Sequence, residues 1–270
     1  MTSKPLLFII KLITITTILF SCISEIEPDF DKARTEMCES TQECPKDSTG
    51  TVTDPRDGKT YTTAILGEQV WMSENLNYGD YIKELEDSTQ FLNSKEKFCP
   101  DNYNSSCNLE GGLYQWHSAM GFPADCSKSA SLCNKQISTD EHQGICMDGW
   151  HLPKSDEWNE LAIYLGGVNI AGDLMKDFER DTDWLTDTDH SAQIVLMNQP
   201  SFLAITAGFR YYKGGLRNRE GGAYFWEASE HDDDEARYRF ISRHFGELDD
   251  YFYWKSGAFS VRCVKNKEGN

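Results

Sequence analysis

Cys146-Met147-Asp148-Gly149-Trp150-His151-Leu152-Pro153-Lys154-Ser155-Asp156-Glu157-Trp158 is the run on which the fold turns. After Pro153 the pattern predicts a helix. Ser155 is placed to cap it, and Asp156 and Glu157 sit at its positive N-terminal end. Trp158, Leu161, Ala162 and Leu165 form the buried stripe, and Gly166-Gly167 ends the helix. His151 falls inside the turn before the helix and reads as a packing or hydrogen-bonding residue.

Upstream, the chain reads as β structure. Val52 to Tyr61 gives a strand, a turn at Asp57-Gly58 and a second strand, and Ile65 to Met72 gives another hairpin bending at Gly67-Glu68. Residues 80–110 are charged and irregular and read as an insertion loop. Gly111-Gly112 then leads into Leu113, Trp116, His117 and Met120, spaced as on one helix face. Residues 121–145 form a second loop.

Downstream, short strands are expected between Gly- and Asp-rich turns, at Phe202–Ile205, Gly208–Tyr211, Ala223–Trp226, Arg237–Ile241 and Phe259–Val264. The expectation is one α+β domain over residues 51–266 with a short tail, 267–270. It has two main helices and a sheet assembled from both ends of the domain.

The full chain has 270 residues, with 26 Lys+Arg against 44 Asp+Glu and a formal charge of -18. Its 7 Trp, 12 Tyr and 14 Phe exclude a disordered acidic tail, since that content fills a core. The absence of a basic stripe argues against nucleic acid as a partner.

Residues 1–21 read as a signal peptide: Lys4, then a mostly apolar stretch from Leu6 to Phe20. Fifteen residues span only about 22 Å as a helix, short of the roughly 30 Å bilayer core. Leu19-Phe20-Ser21-Cys22 resembles the lipobox of bacterial lipoproteins, which implies acylation of Cys22 and cleavage before it. Residues 22–50, polar and acidic, then form a tether. Loss of Lys4 and Lys11 leaves the mature body still more acidic, so anionic lipid repels it and the acyl chains, not the protein surface, hold it at the membrane. Ile23 and Ser24 follow Cys22, with no acid to signal inner-membrane retention, so an outer-membrane or cell-surface location is expected.

Eight cysteines remain: Cys38, Cys44, Cys99, Cys107, Cys126, Cys133, Cys146 and Cys263. In an exported chain this even number suggests four disulfides, although sequence alone permits many connectivities. Proximity suggests 38/44, 99/107 and 126/133, each closing a polar loop. The remaining pair, Cys146 with Cys263, would close a loop worth about 4–5 kcal/mol in the chain-entropy model. Zinc is disfavoured, with no CxxC and no suitably spaced His pair.

The order of motifs resembles a known family. Asp57–Tyr61, Gln69–Tyr78, Gly112–Trp116, Cys146–Pro153, Ala207–Arg210 and Ser260–Val264 follow one another as in the Fibrobacter succinogenes major paralogous domain. That family is similar to the formylglycine-generating-enzyme and sulfatase-modifying domains, a branch of the C-type-lectin-like fold. The resemblance implies a compact, loop-rich α+β domain with Cys146 and Cys263 bridged. The related oxidases use a cysteine pair near the C-terminus, whereas this chain has only Cys263 there. No GxSxG elbow or activated Cys/His pair is present, so no catalytic residue is assigned. His117, on the expected first helix, reads as core.

Calcium suits the acidic runs Asp181, Asp183, Asp187, Asp189 and Asp232–Glu235, but EF-hand spacing is absent and solvated surface is the preferred reading, so no metal is assigned. Tyr211, Tyr212, Trp226, Tyr251, Phe252, Tyr253 and Trp254 crowd the last third of the chain. Asp249–Trp254 is the expected exposed binding loop, with Tyr251, Tyr253 and Trp254 as ligand contacts for carbohydrate or a surface protein. The expectation is a lipid-anchored, non-catalytic binding or surface-structural module. The alternatives are a sulfatase-modifying type of enzyme and a purely structural envelope protein.

Overall fold

The computed structural model describes residues 49–83, 95–124, 137, 141–186 and 202–267. Two antiparallel hairpin steps open it: β1 (Thr49–Thr53), β2 (Thr60–Leu66) and β3 (Gln69–Met72). The first turn is held by Asp54, fully buried, whose carboxylate accepts from the Arg56 backbone N–H at 3.0 Å and from its guanidinium. Arg56 also donates to the Ile145 carbonyl at 2.9 Å, fastening this turn beside Cys146.

β4 (Asp80–Tyr81) and β5 (Glu96–Lys97) make a small parallel pair, followed by α1 (Asn104–Glu110), β6 (Tyr114–Gln115) and α2 (Trp116–Ala119). Then come β7 (Trp150–His151), α3 (Ser155–Tyr164) and α4 (Val168–Met175). Gly166 and Gly167, at φ +95° and +112°, take the left-handed backbone that ends α3 and lets α4 start at once. Gly172 of α4 lies where an added Cβ would sit 2.2 Å from the Glu247 carbonyl oxygen, so the helix approaches that backbone only as glycine.

The last part is strand-rich: β8 (Phe209–Arg210), β9 (Leu216–Arg217), β10 (Gly222–Glu230), β11 (Glu235–Ser242), β12 (Leu248–Trp254), β13 (Ala258–Phe259) and β14 (Val264–Lys265). The sheet orders are β1-β2-β3-β14-β7, β6-β13-β8-β9 and the meander β10-β11-β12. β14 slots between β3 and β7, with Val264 opposite both Trp71 and His151, so the two ends of the domain share one sheet. The Cys146–Cys263 disulfide locks that closure across 117 residues, and Cys99–Cys107 pins α1 across 8. Cys22, Cys38, Cys44, Cys126 and Cys133 lie outside the described residues, as do Asp187 and Asp189. Among the described residues no helix is long and apolar enough to cross a membrane.

Trp71, Trp158, Phe202 and Phe225 form one buried aromatic knot, with ring centroids 4.7–5.8 Å apart. Trp226 stacks on Phe259 at 4.2 Å in the second core. Trp116 and Trp226 spend their indole N–H groups on the Glu227 and Tyr114 carbonyls, at 2.9 and 2.7 Å, which makes their burial inexpensive.

Several expectations are corrected. The helix expected through Leu113–Met120 shrinks to the single turn of α2. Leu113 exchanges backbone hydrogen bonds with Phe98, and Tyr114–Gln115 pairs with β13, so those backbone groups serve strands. Residues 104–110 form α1 rather than loop. Phe202–Ile205 is not a strand: only Ala204 pairs, with Lys176, and Leu203 has φ +57°. Asp249–Trp254 belongs to β12 and is not a loop, because its acid-and-aromatic run pairs along β11. Ser155 does not cap α3. Lys154 is the cap residue, and the Glu157 carboxylate accepts its N–H at 2.9 Å.

Candidate ligand-binding face

Among the described residues β12 pairs only with β11, leaving its other edge open. Strand alternation sends successive side chains to opposite faces. Tyr253 turns inward against Phe209 and Phe259, at 5.5 and 5.3 Å, with its hydroxyl buried. It belongs to the core, so its assignment as a ligand contact is withdrawn. Tyr251, Phe252 and Trp254 remain 48%, 49% and 41% exposed, a large apolar area for one strand of a water-facing sheet.

These rings are held in place. Trp254 stacks on Tyr212 at 5.4 Å and 25°, and Tyr212 meets Tyr211 at 4.5 Å. Phe252 lies flat on His231, 3.9 Å between centroids and 4° apart. Charged groups flank them: Lys213 sits over Tyr212, Arg217 over Tyr211, and Arg237 bridges to Asp250 at 3.0 Å. The ledge is therefore two ring stacks edged with hydrogen-bonding groups. Trp226, from the same sequence cluster, is fully buried. His231 was not singled out, since its position under Phe252 depends on the β10–β11 turn bringing it there.

The acidic residues of that turn have local duties. The Asp232 carboxylate accepts the N–H groups of Asp234 and Glu235 at 2.9 and 2.8 Å, and these hold its pKa below the usual value. Lys255 puts its ammonium among Glu230 Oε1 and the Asp232 and Asp233 carbonyls, at 2.6, 2.7 and 3.0 Å. A lysine thus occupies the pocket of oxygens that a cation would take. His231, Asp232 and Glu235 bring ligand atoms within 4.8 Å of one another at the rim and are the residues that could hold a divalent ion. Asp181 instead caps Thr206, accepting its hydroxyl at 2.8 Å as well as its N–H.

The two histidines weighed for chemistry are buried. His117 contacts Ser118 at 3.3 Å. His151 joins Glu157 Oε1 at 2.7 Å and Asn266 Oδ1 at 3.0 Å, tying β7 to α3 and to the chain after β14. Burial alone would lower the His151 pKa, but the Glu157 carboxylate outweighs it and the pKa rises above 6.5. Burial would likewise raise Glu157, and the His151 and Lys154 N–H donors reverse that to below 4.5. Cys263 is held in its disulfide and offers no thiolate.

The family model of the Fibrobacter succinogenes major domain matches residues 65–265. The chain belongs to this family. The match takes in β3 through β14, the Cys146–Cys263 bridge and the aromatic ledge, while β1 and most of β2 precede it. No curated protein and no solved structure matches the chain.

Proposed function

We propose that this Fibrobacter succinogenes major domain protein is an exported surface module, anchored through a lipid on Cys22, that binds glycan on the β12 ledge without catalysing a reaction. The observation carrying this reading is the stacked pair Trp254–Tyr212 beside Phe252–His231, exposed on one strand and flanked by Lys213, Arg237 and Asp250. Flat rings offer the C–H faces of a sugar an apolar surface, and the charged border takes its hydroxyls. A protein hot spot would use the same rings inside a polar rim, so the identity of the ligand distinguishes the two readings.

The lipobox supports the anchor, and the two disulfides are in keeping with an oxidising exterior. The lectin-like reading draws support from the short antiparallel strands, the shared terminal sheet and its long-range bridge. The non-catalytic reading draws support from His151 and Glu157 satisfying each other inside the fold.

A glycan array with the full-length protein tests the ledge. Binding to at least one glycan is expected, lost in Trp254→Ala with the melting temperature unchanged. Failure to bind any glycan, while surface proteins from the host are retained through Trp254, would replace the sugar with a protein partner. Mass spectrometry tests the anchor: an unmodified Cys22 removes it.

A further inference from the structure

Away from the ledge, a cleft of about 230 Å3 opens between the start of β2, the loop after β3 and the end of α1. Drug-sized ligands occupy roughly 300 Å3 or more, so this cleft suits a molecule of about one sugar ring. Its back wall is Arg262, which is fully buried. The guanidinium donates to Asn75 Oδ1 at 2.6 Å, Met72 O at 3.3 Å, Leu203 O at 2.9 Å and the Phe202 carbonyl. All four acceptors are neutral. Among the described residues no carboxylate comes within ion-pair distance of it, although a buried cation ordinarily has one.

Other cations gather here. Lys59 and the buried Lys97 both donate to the Asn77 carbonyl, Lys97 at 2.7 Å, and Lys97 also reaches Gly79 O at 2.6 Å. Arg180 stands at the mouth, half exposed. Against them the lining holds one carboxylate, Glu74, which faces Arg180 at 3.6 Å and accepts the Thr62 N–H at 3.0 Å; from outside the lining Asp57 meets Lys59 at 3.3 Å and the buried Asp177 pairs with the Arg180 guanidinium. In a protein of formal charge -18 this basic corner is an exception.

The cleft also lacks a donor. Asn77 lines it and is 7% exposed; its amide N–H faces Asn108 Oδ1 at 3.5 Å, and its Oδ1 is buried with no partner. An orphaned acceptor of this kind costs about 1–3 kcal/mol. Leu109, largely exposed, and Ile205 supply an apolar flank. We propose that the cleft binds a hydroxylated carboxylate the size of one pyranose, a hexuronate residue. Its carboxylate faces Arg180 and Lys59, with Arg262 behind them, and a hydroxyl donates to Asn77 Oδ1. The ring's C–H face covers Leu109 and Ile205.

This inference is independent of the β12 ledge, and one experiment separates the two. Calorimetry on the full-length protein uses D-galacturonate and D-glucuronate, with D-galactose, D-glucose and acetate as controls, each at about 10 mM. At least one uronate is expected to bind, with its neutral sugar and acetate at least about tenfold weaker. Arg180→Gln, which keeps a donor for Asp177, should weaken uronate binding about fivefold or more while Trp254→Ala leaves it unchanged. Asn77→Ser, checked for an unchanged melting temperature, should weaken it as well. No binding of either uronate overturns the proposal, as does equal binding of neutral sugar or acetate, or indifference to Arg180→Gln.

Discussion

Two buried arginines sit in opposite circumstances. Arg239 of β11 is 2% exposed and meets the fully buried Glu227 at 2.5 Å; it also donates to Asn159 Oδ1 at 3.0 Å, and the Ser155 hydroxyl donates to the Glu227 carboxylate. Burial pushes the Glu227 pKa up, against the pull of Arg239. Arg262, buried to the same degree, donates only to neutral oxygens, and burial with Arg180 nearby lowers its pKa below the usual guanidinium value against the pull of the more distant Glu74 and Asp177. The first is a closed unit of charge and counter-charge that ties α3 to the meander. The second is half of such a unit beside a cavity. Burial alone therefore does not mark a site; a buried charge without a direct ion pair next to open volume does.

The largest expected effect concerns the strut that holds the second arginine in place. Arg262 immediately precedes Cys263, so replacing Cys146 and Cys263 by serine should cost about 5 kcal/mol. Replacing Cys99 and Cys107 should cost about half as much, and denaturant melts of both pairs measure the ratio.

Next comes the direct comparison of the arginines. Arg239→Met strands a buried carboxylate and should cost about 3–5 kcal/mol. Arg262→Met strands only neutral acceptors while removing a buried charge, and should cost about 1–3 kcal/mol. Equal losses in urea melts would erase the distinction between them.

A paired centre of a third kind, His151–Glu157, should show itself as pH dependence. A raised histidine pKa contributes stability in full below 6.5, and this is lost as pH rises through the folded value. A lowered glutamate pKa contributes above 4.5, and this is lost as pH falls through the folded value. The pair is thus strongest between those limits. His151→Gln should flatten the alkaline limb of the stability profile by about 1 kcal/mol, and an unchanged limb would deny the pair that role. Smallest of all, Tyr251→Ala and Trp254→Ala should shift stability by less than about 1 kcal/mol, in contrast with Tyr253→Ala, which opens the core and should cost about 3 kcal/mol or more.

Much of the frame was legible beforehand. The Asp57-Gly58 and Gly67-Glu68 turns, the α3 stripe with its Gly166-Gly167 stop and the 99/107 bridge stand where local patterning put them, and the 146/263 bridge stands where the remaining pair and the family resemblance put it. Local chemistry misled where distant partners intervened. Leu113–Gln115 has helical spacing, but Phe98 and β13 take its backbone. Phe202–Ile205 has strand composition, but Arg262 takes the carbonyls of Phe202 and Leu203, and Leu203 adopts a left-handed backbone to deliver its own. The ledge was half legible: aromatic content singled out Tyr251 and Trp254, and only the packing of Tyr253 against Phe209 and Phe259 revealed that it belongs to the core.

The cleft was not legible as a site at all. Asn75, Asn77 and Arg262 stand in the sequence as pieces of recurring motifs, and the one signal available was an arginine beside a bridging cysteine with no acid near it in the chain.

Composition, turn residues and cysteine spacing by themselves determined an acidic, disulfide-bridged α+β domain, and the order of its motifs marked the resemblance to the Fibrobacter succinogenes major family, because those properties act over a few residues or along chain order. Which aromatics face water, which arginine has a counter-charge and where an empty volume meets a cation were decided only when residues 59, 77, 180 and 262 came together, since Coulomb and packing energies depend on distances in space that chain order does not encode.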